Sequence, residues 1–305
     1  MMEERLVYFS KVSLNSRELY EITDDCKTKM RIVTNILAML NNNICWEKVI
    51  TYFKDGLEKE EKSTYTIEIT EKDDQVIQGT IYRNFMVYTK KRGDRAGDMI
   101  KVPHENTEDI CFYYDVLHEY VAYIVRRRFS VAMFNEAFAM VLNNASEKMG
   151  HKFSFYVESF NEGLTIEEIQ EQIRNDKEIR ELTITYRPAN PDDRIIDKVR
   201  QARDKEKIRE SNATERSVIY KAKGNALING GADVIQDDIK QLIDMNKDIS
   251  IKEMTKRGYV VVTSKNQKGD VKTTTDSKQF SKVLRGIDEF KEVAKNGILE
   301  ILGKA

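Results

Sequence analysis

Two short runs, Ile110–Tyr114 and Tyr120–Val125, constrain this chain more than any other feature. Each is apolar on both faces and rich in β-branched and aromatic residues, so both predict strands. The polar stretch Asp115–Glu119 between them makes the pair a hairpin, with Asp115, His118 and Glu119 near its turn. Ser130 then opens a helix whose apolar positions, Phe134, Phe138, Val141, Leu142 and Ala145, fall on one face. Gly150 stops it, and Phe153–Phe160 returns to strand character. Thr165 and Glu168 have capping-box spacing ahead of an Ile166, Ile169, Ile173 stripe. Leu182, Ile184 and Tyr186 alternate as a half-buried strand, which Pro188 and Pro191 end. These prolines mark a domain boundary. The fold class predicted is α+β: an antiparallel or mixed sheet with flanking helices over residues 1–190, then a helix and a smaller α+β unit over 191–305.

The remaining elements follow the same rules. Arg5–Leu14 alternates and opens the chain as a strand. Thr23, Asp24 and Asp25 offer caps to a helix carrying Met30, Val33, Ile36, Leu37 and Leu40, which Asn41–Asn43 ends. Trp46, Val49, Ile50 and Phe53 predict a second helix, and Glu58–Lys62 a charged connector. Tyr65, Ile67 and Ile69 read as strand, Asp73–Asp74 as a turn, Val76–Thr89 as one or two further strands, and Lys90–Asp98 as a polar loop. Beyond Pro191 come a charged helix (Asp192–Glu210), a strand (Ser217–Lys223), and a helix carrying Val234, Ile235, Ile239, Leu242 and Ile243. Gly258–Ser264 and Val271–Thr275 form a hairpin, and Ser277–Leu302 is expected to close the chain as one helix.

Charge and spacing exclude several classes. A net charge of −1 with 33% charged residues describes a surface of interspersed signs, not a polyanion or polycation. No run approaches the ~18 apolar residues that cross a bilayer, and no apolar signal region opens the chain, so a cytoplasmic protein without membrane contact is expected. Cys26, Cys45 and Cys111 are read as reduced, buried thiols. The phosphate-cradling P-loop pattern is absent, and Gly224–Gly231 (GNALINGG) reads as a strand-to-helix turn. Zinc-ligand spacing and a nucleophile elbow are absent too; His104 and His151 read as surface imidazoles, and no cofactor is expected.

Three sets of residues have chemistry to offer. Asp115, His118 and Glu119 combine two carboxylates and an imidazole, suited to a metal or to proton transfer; a solvated turn explains the same residues and is the favoured reading. Asp270–Val271–Lys272, with Asp233 or Asp248 upstream, fits the acid–lysine arrangement of metal-dependent nucleases, although chance supplies such triplets in a chain this charged. A nucleic-acid surface is suggested by Lys90, Lys91 and Arg92, by Arg126 and Arg128 on one face of a continuing strand, and by Lys256, Arg257, Lys265 and Lys268. The structural reading of that set is a hairpin tip and solvated lysines.

The order FYYDVLHEYVAYIVRRRFSVAMFNEAFAMVLNN, a short strand, an amphipathic helix and LTITYRPANPDD resembles a group of uncharacterised α+β proteins from bacteria and prophages. The resemblance covers mainly residues 108–193 and carries no catalytic residue. It implies a setting near antiphage-defence or mobile-element genes. The leading expectation is a non-catalytic, self-associating macromolecule-binding protein: a sensor, inhibitor or accessory subunit in phage defence or counter-defence, with a protein partner from that system. The alternatives are a metal-dependent nuclease and a nucleic-acid-binding module.

Overall fold

The computed structural model describes residues 4–15, 26–54, 57–92, 99–151, 153–187, 215–244, 250–276 and 279–304. The elements run β1 (Arg5–Asn15), α1 (Cys26–Met39), β2 (Cys45–Lys54), β3 (Leu57–Lys72), β4 (Val76–Arg92), β5 (Met99–Asp115), β6 (Tyr120–Ile124), α2 (Val131–Lys148) and β7 (Ser154–Ser159). They continue with α3 (Ile166–Asn175), β8 (Ile179–Tyr186), β9 (Arg216–Lys221), α4 (Asp233–Asp244), α5 (Ile251–Lys256), β10 (Val260–Asn266), β11 (Val271–Thr273), β12 (Ser281–Leu284) and α6 (Phe290–Ile301). The fold is mixed α+β, built on a curled antiparallel sheet and closed by a C-terminal helix.

The large sheet has the order β12-β1-β6-β5-β4-β3-β2, with β7 also paired to β1. Its centre is apolar on both faces because helices cover both. Phe112, Tyr114, Val121 and Tyr123 share a core with Phe134, Phe138, Val141 and Leu142 of α2 and with Ile32, Val33 and Ile36 of α1. The Tyr123 ring stacks on Phe134 at 3.8 Å. Val7, Phe9, Tyr113, Tyr120 and Ala122 point the other way, onto Phe290, Ala294, Ile298 and Ile301 of α6. A smaller sheet, β11-β10-β8-β9, packs Leu182, Ile184 and Val262 against Ile169 and Ile173 of α3, Ile235 and Ile239 of α4, and Met254 of α5. It thus draws β8 from before residue 190 and β9–β11 from after it, while β12 and α6 return to the large sheet.

Several expectations hold. The β5–β6 hairpin, the Ser130-capped α2 and the reciprocal Thr165–Glu168 capping box are all present. Others need correction. The stretch around Trp46–Phe53 is β2, a strand rather than a helix, and Glu58–Lys62 is part of β3 rather than a connector. The three- and four-residue apolar spacing there is incidental in a β-branched and aromatic run, and an unbroken ladder from Cys45↔Thr66 to Lys54↔Leu57 satisfies its backbone. Residues 90–92 belong to β4, not to a loop, and His104 lies in β5, bonded to Thr89 Oγ1 at 2.7 Å. The expected closing helix is split: Ser281–Leu284 pairs with Arg5–Tyr8 before α6 begins. Cys45 is exposed and Cys111 half-buried, so neither is the buried thiol expected. The Cys26 side chain, the caps at 23–25 and the charged helix at 192–210 lie outside what is described.

α6 approaches β1 so closely that a Cβ on Gly297 would stand 2.2 Å from Phe9 Cζ. Phe9 cannot yield easily, since Phe280 packs on it at 5.2 Å between ring centroids. Gly297→Ala should therefore destabilise the protein by about 1–2 kcal/mol, an overpacking cost of up to ~3 kcal/mol offset by helix propensity worth ~1. Denaturant titration against the wild type checks this; an unchanged or raised midpoint would refute it.

Candidate functional site

β3 pairs with β4 only as far as Ser63↔Phe85, whereas β4–β5 pairing runs on to Arg92↔Met99 and β2–β3 pairing to Lys54↔Leu57. Two two-stranded arms therefore continue beyond the sheet. At ~3.4 Å per residue, the arm Met86–Arg92 with Met99–Glu105 is about 24 Å long. Both arms leave large apolar side chains in solvent: Val49 (49% exposed), Ile50 (47%) and Tyr52 (40%) on one, Met86 (37%) and Tyr88 (65%) on the other. Cross-strand partners share a face, so Tyr88 and Pro103 lie side by side, and next to them Lys90 faces Lys101. Pro103 is tolerated because β5 pairs with β6 only over Phe112–Asp115, which leaves its other edge free at the arm.

The other basic residues sort differently. Arg126 and Arg128 do not share a strand face as expected: β6 ends at Ile124, and an Arg126–Phe129 bridge closes a turn. Arg126 is held by Asp109, donating from Nε to the carbonyl at 3.1 Å and from Nη2 to Oδ2 at 3.1 Å. Arg128 remains exposed. Arg257 is buried and bound to Glu253 Oε1 at 2.7 Å, so it is a structural cation and not part of a surface. Lys256 lies over the Phe160 ring. Lys265 and Lys268 are exposed around the β10–β11 turn.

The β5–β6 turn gathers its charges, but around an ammonium group. Lys11, fully buried in β1, places Nζ 3.1 Å from Glu119 Oε2, 3.2 Å from the His118 carbonyl it donates to, and 4.7 Å from the Tyr120 ring centroid. Asp115 is engaged locally: Oδ1 accepts the His118 N–H at 3.0 Å and Oδ2 lies 2.8 Å from His118 Nδ1. Among the described residues no three His, Cys, Asp or Glu side chains assemble a metal-binding group. Asp115, His118 and Glu119 thus fix a hairpin turn onto β1.

A cleft of about 520 Å³ opens beside the smaller sheet, floored by Ile173, Leu182 and Val262 and rimmed by Gln172, Asp176, Ser264, Lys272, Thr274 and Asp276. The nuclease candidates separate here. Lys272 reaches Asp176 Oδ2 at 3.0 Å, whereas Asp270 stays in the turn and accepts from Asn266 Nδ2 at 2.9 Å. Asp233 is exposed at the start of α4, and Asp248 lies outside the described residues. Burial alone would lift the Asp176 carboxyl. Hydrogen bonds from Lys272, the Glu178 N–H and Ser264, with the lysine's charge, outweigh it and hold the group below the usual range. The glycine-rich turn is structural as well: a Cβ on Gly230 would stand 2.4 Å from the Ile173 carbonyl oxygen.

The model of a family described as a domain of unknown function, DUF4747, matches residues 64–299. The chain belongs to the DUF4747 family. The matched region runs from within β3 into α6, so it contains the β4–β5 arm and the cleft and leaves out β1 and β2. No curated protein matches the chain. Within this DUF4747 chain, Lys90 and Lys91 were nameable from their basic run. The arms were not, because only the point where β3 leaves β4 defines them.

Two outcomes follow from the charge clusters. Glu119→Gln removes the countercharge of the buried Lys11 ammonium, which keeps neutral partners such as the His118 carbonyl, and should cost about 3–5 kcal/mol in denaturant titration; a loss below ~1 kcal/mol would show the pair to be dispensable. Asp176, with a lowered folded pKa, stabilises above the ordinary aspartate value of ~3.9, and this stabilisation disappears as pH falls through the folded value. Asp176→Asn should therefore lower stability at pH 7, and the gap to the wild type should close as pH falls through the depressed folded pKa. A gap independent of pH would contradict it.

Proposed function

We propose that this DUF4747 protein works by binding a macromolecule through its two β-arms, without catalysing a reaction, as a sensor, inhibitor or accessory subunit in a phage–host conflict. The observation that carries the binding reading is the exposure of Val49, Ile50, Tyr52, Met86 and Tyr88, none of which belongs to any of the three cores. Isolated apolar side chains on a surface need no explanation, but a group of them on projecting ribbons fits an interaction site. The conflict setting is supported by the sequence resemblance of residues 108–193 and nothing else. Self-association and a cytoplasmic location belong to the same reading. Among the described residues no helix is long and apolar enough to cross a membrane. The smaller sheet with α3–α5 is proposed as the C-terminal unit expected from the sequence, with α3 and β8 added to it and the closing helix α6 taken from it.

The nuclease reading is not favoured, because Asp270 and Lys272 take different partners. Expression with the neighbouring genes in a bacterium challenged by a phage panel tests the proposal. Val49→Glu/Tyr52→Glu and Tyr88→Glu should each abolish the change in plating efficiency while the melting temperature stays within about 2 °C. Full effect from both variants would sink the binding role of the arms. Loss through Asp270→Ala alone would favour catalysis.

A further inference from the structure

We infer that the β4–β5 arm takes the phosphate backbone of double-stranded DNA, lying in a groove as a two-stranded ribbon. This rests on the reading of the arms as binding surfaces and names the partner of one of them. The two arms differ in charge. Along Val49–Lys62, lysines and glutamates are mixed, and Glu47 pairs with Lys62 at its base. Along the paired residues of the β4–β5 arm, Lys90, Lys91, Arg92 and Lys101 meet a single acid, Glu105. Among the described residues Lys90, Lys91 and Lys101 have no ion-pair partner.

Lys90 directly opposite Lys101 is an unfavourable cross-strand pair in an isolated protein. A polyanion laid across that face reverses the sign of the interaction. Lys91 alternates to the opposite face, so cations stand on both sides of the ribbon, as they would in a groove walled by two phosphate backbones. The dimensions agree. A pair of strands ~4.8 Å apart, carrying its side chains, enters a B-form major groove ~12 Å wide, and an arm of about 24 Å reaches across several base pairs. Tyr88 beside Pro103 supplies an apolar ridge next to the lysines, on the face that would enter the groove. The deep, narrow major groove of duplex RNA does not admit such a ribbon.

Fluorescence anisotropy of the full chain tests this, using a mixed-sequence DNA duplex, its single strand and a matching RNA duplex between 50 and 200 mM KCl. The DNA duplex should bind most tightly, and three phosphate contacts imply a loss of roughly 40-fold across that salt range. Lys90→Ala/Lys91→Ala/Lys101→Ala should flatten the dependence, while Lys265→Ala/Lys268→Ala should leave it unchanged. The inference is overturned by no duplex binding at 50 mM salt, by affinity indifferent to the triple substitution, or by a preference for the single strand or RNA. Should Tyr88→Glu abolish the plating effect while the wild type binds no DNA, the arms remain a binding surface and this choice of partner alone fails.

Discussion

From Phe9 to Leu14, β1 has no face left for water. Val7 and Phe9 point to α6, Ser10, Val12 and Leu14 to the side of α2, and its edges pair with β6, β7 and β12. Burying side chains of this size contributes about 1.5–3 kcal/mol each, and here both sides of the pleat contribute. Because strand side chains alternate, a slip of one residue would exchange the two sets. Two polar devices oppose that slip. Ser10 lies 2.9 Å from Tyr123 Oη and donates to Asn135 Oδ1 at 2.7 Å, and Asn135 Nδ2 donates to Ser159 Oγ at 3.0 Å. One residue on, Lys11 meets Glu119. A slipped strand would bury an unpaired ammonium and strand a hydroxyl in apolar surroundings, each far costlier than the hydrogen bond it replaces.

Cover at the centre leaves exposure at the margin. α2 reaches outward as far as Lys48, through Glu136, and supports the stacked Trp46–Tyr65 pair. α6 reaches Glu71 through Lys291. Neither helix contacts the arms at Val49–Lys62 or Met86–Glu105 through any ion pair among the described residues. The arms are ordered by their own ladders and by continuity with covered strands. That explains why residues such as Val87 and Val102, on one face, keep partial cover while Tyr88 beside them has little. A binding surface on such strands is held in register by the core at its base, while its far end stays accessible.

What was legible in the sequence follows the range of the forces involved. The β5–β6 hairpin, α2 and the Thr165 capping box depend on residues within a few positions of each other, and all are present. β12 was misread because its partner is β1, where Leu284 pairs with Arg5, and the apolar spacing of Val283, Leu284 and Ile287 imitates a helix. β2 was misread for the same reason: its ladder to β3 decides, and a window of ten residues does not contain it. Among candidate residues, Lys90 and Lys91 kept the solvent exposure a binding role requires. Arg126 and Arg257 did not, since Asp109 and Glu253 sequester them. Nothing in the local sequence distinguishes a lysine awaiting a phosphate from an arginine already committed to a neighbour.

The near-zero net charge bears on this differently once the arms are in view. A balanced chain gains no long-range attraction to polyanions. Screening in physiological salt, however, limits each charge to about 8 Å. Among the paired residues of the arm the one acid is Glu105, about 14 Å along the strand from Lys101 at ~3.4 Å per residue, which is beyond that screening length. Along those paired residues the cations are Lys90, Lys91, Arg92 and Lys101, and they outnumber the acid. On the reading proposed for the arm, a nearly neutral chain with a basic ribbon would bind only what the ribbon can reach, which favours selective contact over general adhesion to anionic surfaces.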